Sequence, residues 1–150
     1  MFEKNDYIIY GTTGVCKIAG IEKKKFNTSV EREYYILKPA YDPNSTIYAP
    51  IDNNMINIRK IMTVQEVYNL IKTMPDNETI WIDDINLRKE KYNEILKRGD
   101  NVELVKLIRT LYLEKEKKKI EGKKLYVGDE KIMSEAQRLL HEEFALVLNI

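Results

Sequence analysis

Near residue 60 the spacing of apolar residues changes period, and that change constrains the fold more than any other feature of the chain. Before it, apolar and polar residues alternate in short runs separated by Gly, Pro, Asn and Asp, the pattern of strands and turns. After it, apolar residues recur at steps of three and four, as on one face of a helix. With 150 residues, 43% hydrophobic and 33% charged, the chain has apolar material for small cores and a heavily solvated surface. The expectation is α+β: a five-stranded barrel of the SH3 or Tudor type over residues 1–60, then a compact all-α bundle of four or five helices over 61–150.

The strands are read from Tyr7 to Tyr10, Val15 to Glu22, Glu33 to Lys38, Thr46 to Ala49 and Ile56 to Arg59. Gly11-Thr12-Thr13-Gly14 supplies a turn with two glycines able to take positive φ. In the second strand, alternation places Cys16, Ile18 and Gly20 on one face. Asp42-Pro43-Asn44-Ser45 and Asn53-Asn54 are turn chemistry, and Lys23 to Val30 reads as a polar hairpin tip.

The helical half opens on Thr63-Val64-Gln65-Glu66, a capping box, with Val64, Val67, Tyr68 and Ile71 as the inward stripe and Pro75-Asp76-Asn77 as the stop. A second helix starts at Asp83 or Asp84, carries Ile85, Arg88, Tyr92, Ile95 and Leu96, and ends at Gly99. Asp100 opens a third, with Val105, Ile108, Leu111 and Tyr112 inward, closed by Gly122. The last begins around Asp129 and carries Ile132, Ala136, Leu139, Leu140, Phe144, Val147 and Leu148.

The scarce residues exclude much chemistry. One cysteine, Cys16, and one histidine, His141, cannot make an intramolecular disulfide or the ligand set of an ordinary zinc site. His141 lies in a helical pattern with no nucleophile motif beside it, as a solvated histidine would. Neither a GxxxxGK[ST] loop nor GxGxxG is present. Asp83-Asp84, Asp129-Glu130 and Glu142-Glu143 fall at helix starts or on polar faces, where the macrodipole accounts for them. Neither an enzyme nor a cofactor is expected. No basic n-region precedes an apolar stretch at the N-terminus, and no apolar run nears the ~20 residues of a bilayer span. The expectation is a cytoplasmic monomer with no membrane partner.

A formal net charge of +1 conceals an asymmetry. Residues 88–124 hold thirteen basic and seven acidic residues, while 61–87 hold one and five and 125–150 two and five. The middle helices thus form a basic band between acidic neighbours. Such a band can neutralise phosphates, or its lysines can pair with neighbouring glutamates; the lysine-rich stretch from Glu114 to Lys124 reads as a solvated helix end. No helix-turn-helix, zinc-finger or RNP motif stands out.

Phe2-Glu3-Lys4-Asn5-Asp6-Tyr7-Ile8-Ile9-Tyr10-Gly11-Thr12-Thr13-Gly14-Val15 resembles, in its spacing, the opening of the CarD/CdnL family of bacterial transcription regulators. Ile21-Glu22, Glu33-Tyr34-Tyr35-Ile36-Leu37 and Tyr48-Ala49-Pro50 continue the likeness. So do Arg88-x-x-x-Tyr92, Arg98-Gly99-Asp100 and Ala136-x-x-Leu139-Leu140-x-x-Glu143-Phe144-Ala145-Leu146-Val147. Asn5 stands where the family usually has glycine, Thr13 where it often has histidine, and Gly11 where it has proline, whose φ a glycine can adopt.

The resemblance implies a non-enzymatic regulator with a partner for each half. The N-terminal barrel is the RNA-polymerase-interacting module shared with the transcription-repair coupling factor, and would bind the lobe of the polymerase β subunit by pairing an edge strand with it. Thr46, Ile47, Tyr48 and Ala49, with Pro50 at the end, are the candidate edge, flanked by prolines as edges tolerate; a proline at Ile47 or Tyr48 would block pairing. The family's basic contacts fall on Lys24 and on the position of Tyr48, where arginine is common, so Lys24 and Lys25 carry more of the electrostatics here. The helical half would stabilise the promoter open complex at its upstream edge. Arg88, Lys89, Lys91, Lys97 and Arg98 would contact phosphates, with DNA binding weak without polymerase and not strongly sequence-specific. Trp81 would act as a minor-groove wedge, alternation turning it away from Ile80 and Ile82, or else as a core tryptophan packed by those two residues. The alternative is a protein–protein adaptor whose helical half leaves DNA alone.

Overall fold

The computed structural model describes residues 2–26, 30–51, 58–74 and 78–150. The expected turn at Asn53-Asn54, the strand start at Ile56-Asn57, the stop at Pro75-Asp76-Asn77 and the hairpin tip at residues 27–29 lie outside them. The chain divides into two compact units, Met1–Ile61 and Met62–Ile150.

The first unit is an antiparallel sheet of β1 (Tyr7–Tyr10), β2 (Gly14–Lys24), β3 (Arg32–Pro39), β4 (Ile47–Pro50) and β5 (Ile58–Lys60), in the order β4-β3-β2-β1-β5. Ile8, Cys16, Ile18, Tyr35, Leu37 and Ala49 form its core, with Phe2, Tyr10, Ile47, Ile51 and Ile58 packed around them. The expected barrel is not closed: β4 and β5 are the sheet's edges.

The β1–β2 connection is the two-glycine turn, with φ of 48° at Gly11 and 90° at Gly14. A φ of 48° is closed to proline, so Gly11 does not reproduce the geometry of the proline it replaces. Asn5, at the family's glycine position, has φ 76°, and asparagine is among the residues that tolerate that region best. One expectation fails in β2. A register shift between Ile18 and Gly20 makes Ala19 an extra residue against β3. The bulge reverses the alternation, so Ile21, opposite Tyr35, takes the face of Ile18, and Gly20 turns to the other side.

The second unit comprises α1 (Val64–Thr73), α2 (Ile85–Arg98), α3 (Asn101–Ile120) and α4 (Val127–Leu148), four helices among the described residues. Each of the first three has its expected cap: Thr63, Asp84 and Asp100 accept from the backbone N–H three residues on. Gly99 ends α2 in the left-handed region. At α1 the capping box is complete, Glu66 Oε1 accepting from the Thr63 N–H. Thr63→Ala should therefore cost about 1 kcal/mol, read as a shift in urea midpoint without a change in m. The last helix starts at Val127, two residues before the expected Asp129.

The helices bury two clusters. Tyr92, Ile95 and Leu96 of α2 meet Leu104, Leu107 and Leu111 of α3 and Ile132, Met133, Ala136 and Leu139 of α4. Met62, Val67 and Leu70 meet Val105 and Leu140. Apolar residues cover about half of α1, and the half that packs is Val67, Leu70 and Met74, leaving Val64, Tyr68 and Ile71 exposed. Likewise α3 serves both clusters, burying Leu104 and Leu107 beside Val105 and Leu111, while Tyr112 is 53% exposed. Among the described residues no helix is long and apolar enough to cross a membrane.

Candidate functional site

Residues 78–82, between α1 and α2, are neither helix nor strand, so their backbone groups need partners from elsewhere. Side chains of α2 and α3 supply them. The Ile80 N–H donates to Thr110 Oγ1 at 2.9 Å, and the Ile80 carbonyl accepts from the Tyr92 hydroxyl at 2.8 Å. Burial pushes the Tyr92 pKa up to about 12, so this hydroxyl remains a donor across the physiological range. Trp81 Nε1 donates to Asp83 Oδ1 at 2.9 Å. The alternation expected here does not occur: Ile80, Trp81 and Ile82 are all half-buried against the α2–α3–α4 cluster.

Arg88, expected among the surface phosphate contacts, is 4% exposed. Its Nε donates to Asp129 Oδ1 at 3.0 Å and its Nη2 to Oδ2 at 2.8 Å, the planar fork matching the carboxylate. Its Nη1 donates to the carbonyls of Ile82 at 3.0 Å and Asp83 at 3.2 Å. Its Cζ lies 4.4 Å from the centre of the Trp81 ring, a cation–π contact. The hydrogen bonds to Asp129 raise the Arg88 pKa further, desolvation opposing them. Asp129 is 3% exposed, so it is no surface carboxylate at a helix start. Glu143 is buried too, and accepts from the Met62 N–H at 2.8 Å.

The other basic residues of the expected set, Lys89, Lys91, Lys97 and Arg98, are exposed on α2. They do not make one cluster. A step of seven puts Lys91 and Arg98 on one side of the helix. Lys89 lies on the other, where it lines a 290 Å³ cavity with Asn93, Tyr126 and Lys131.

In the first unit, β4 is an edge strand, and its hydrogen-bond parity follows from one contact. Continuing the β3–β4 register places Ile51 opposite Glu33, and the Ile51 N–H donates to the Glu33 carbonyl at 3.2 Å. Bonded and non-bonded pairs alternate in an antiparallel ladder. Ile47 and Ala49 thus turn their backbone groups toward β3, and Tyr48 turns its N–H and C=O outward. Pro50, without an N–H, sits where the donor would also point outward. Above this edge three rings converge: Phe26 lies 5.1 Å from Tyr34 and from Tyr48, and Tyr34 lies 6.5 Å from Tyr48. Phe26 and Tyr48 remain 44% and 40% exposed. The β2–β3–β4 register brings Lys24 to this same face, where it pairs with Glu22 at 3.2 Å. Lys25 is exposed, and the Thr46 hydroxyl is held by Lys38. Phe26 was not among the expected contacts; only its place two residues past Lys24 signalled it.

The CarD-like/TRCF RID domain family matches residues 2–62, and the CarD C-terminal domain family matches residues 66–150. The chain belongs to the CarD-like family. It is thereby an RNA-polymerase-interacting transcription regulator, with the interacting domain in the sheet unit. No match was found among curated proteins.

Proposed function

We propose that this CarD-like chain holds the lobe of the RNA polymerase β subunit through the outer edge of β4 and stabilises the promoter open complex with its helical unit. The observation that carries the first part is the outward-facing N–H and C=O of Tyr48 on a terminal strand, ready for an added strand. Its side-chain specificity then comes from the Phe26, Tyr34 and Tyr48 rings, with Lys25 and Lys24 supplying the positive charge that tyrosine at position 48 does not.

Support for the second part is the half-buried Trp81 beside a helix with four exposed basic residues. An apolar wedge costs a few kcal/mol of unstacking, least where the duplex already opens. The indole therefore favours melted over closed promoter. Lys89, Lys91, Lys97 and Arg98 neutralise phosphates and position the helix without reading sequence. The test is the half-life of a polymerase–promoter open complex with the full chain, well below its melting range. Trp81→Ala should shorten that half-life and leave binding to the isolated β lobe unchanged; an unchanged half-life refutes the wedge. Alanine at Lys89, Lys91, Lys97 or Arg98 should lower the salt slope of promoter binding by up to about 0.9 each, alike on different promoters. A slope unmoved by all four would favour a helical unit that recruits protein and leaves DNA alone.

A further inference from the structure

We infer that Arg88 acts through Trp81: with Tyr92 and Thr110 it forms a mount that holds the indole in one orientation, and it is a positioning residue for the promoter rather than a contact to it. The inference deepens the wedge reading above and rests on it.

An irregular segment in water samples many conformations, and ordering it on binding opposes binding. Here the segment is ordered beforehand. Both backbone groups of Ile80 are taken by side chains, one from α3 and one from α2. The carbonyls of Ile82 and Asp83 are taken by Arg88. Trp81 is thus bracketed on both sides by residues whose backbone is fixed. Its own indole is fixed twice more, through Nε1 to Asp83 and through one ring face to the Arg88 guanidinium.

Only arginine can do what Arg88 does at once. The planar group offers a fork to Asp129, two donors to carbonyls and a flat face to the ring, and a lysine ammonium has neither the fork nor the face. Asp129 in turn holds Arg88 from α4, so α2, α3 and α4 all bear on the placement of one side chain. One indole face is covered by Arg88 and the ring is half-buried against the α2–α3–α4 cluster, so only the part of the indole that remains exposed can meet a base step.

The chain has a single tryptophan, so its emission reports this residue alone. Arg88→Met with Asp129→Leu replaces the ion pair by apolar groups, a change that often preserves stability, and removes the fork, the carbonyl donors and the guanidinium face together. In the full chain this pair should melt cooperatively, shift Trp81 emission to the red and open it to a soluble quencher. It should also shorten the open-complex half-life about as far as Trp81→Ala does, and adding Trp81→Ala to the pair should shorten it no further, because residues acting as a unit are not additive. Thr110→Val, which frees the Ile80 N–H and removes the hydroxyl's bond to the Lys106 carbonyl while leaving Arg88 and Tyr92 in place, should move the same readouts in the same direction and by less; it decides the matter if the pair does not fold. An unmoved emission in a folded variant, or losses that add to that of Trp81→Ala, would overturn the mount. Should Trp81→Ala leave the half-life at the parent value, the wedge itself falls. A short half-life for Trp81→Ala beside a parental one for the pair overturns only the role given to Arg88.

Discussion

Arg88→Ala is expected to destabilise the helical unit by about 3–5 kcal/mol, the range for removing one partner of a buried ion pair. The loss has two sources. Asp129, 3% exposed, loses both guanidinium bonds, and the carbonyls of Ile82 and Asp83 lose their donor. For a unit of this size the melting temperature should fall by roughly 15–30 °C. Arg88→Lys restores a charge without the fork and should recover only part of that. An arginine on the surface contacting phosphate would instead cost within about 0.5 kcal/mol. A melt of Arg88→Ala within a few degrees of the parent would therefore return Arg88 to the surface set and remove the mount with it.

The two roles of Arg88 also mark how far the sequence could be read. Its spacing put it on the stripe of Tyr92, Ile95 and Leu96, at steps of four and three; its residue type put it among the cations that neutralise phosphate. Spacing prevailed, because a helix face that enters a core takes whatever stands on it. What spacing could not disclose was the partner, since Asp129 lies on α4 and the pairing is a tertiary fact. Asp129 stands three and four residues before Ile132 and Met133, and Glu143 three and four residues after Leu140 and Leu139. An acid on an apolar stripe was thus the available signal of a buried pair.

Local chemistry was legible where a residue type has one geometric use. Thr63, Asp84 and Asp100 cap, Gly99 stops α2, and Gly11 and Gly14 turn with positive φ. The change of period near residue 60 falls at the division between the units. The failures share one cause, a choice made by packing among options the pattern left equal. Half of α1 is apolar, and α3 and α4 select Val67, Leu70 and Met74 over Val64, Tyr68 and Ile71. Tyr112 fits the period of α3 and still points outward. Ala19 carries no mark of a bulge. The Phe26–Tyr34–Tyr48 cluster joins three segments of chain through strand register, which alternation alone does not fix.

That register also sharpens the test of the polymerase interface. Tyr48→Pro is expected to lower the affinity of the full chain for the isolated β lobe by about 10- to 100-fold while the sheet unit stays folded. The loss combines the Tyr48 ring, taken from Phe26 and Tyr34, with one buried hydrogen bond whose acceptor on the lobe is left bare, the bond alone being about 1–3 kcal/mol. No ladder hydrogen bond within the sheet is lost, because the Tyr48 N–H faces away from β3. Ile47→Pro, though one residue away, should act oppositely. It removes an N–H that donates into β3 beside Leu37, and with the ring's clash should cost about 3 kcal/mol or more, much of the reserve of so small a unit. Circular dichroism melts separate the two, Ile47→Pro lowering the melting temperature and Tyr48→Pro leaving it near the parent. Tyr48→Ala supplies the remaining comparison. It removes the ring from Phe26 and Tyr34 and keeps the N–H, so the affinity gap between Tyr48→Ala and Tyr48→Pro measures the backbone bond alone. A folded Tyr48→Pro chain that binds the lobe no worse than Tyr48→Ala would mean that the lobe does not add a strand to β4, and that the aromatic face alone makes the contact.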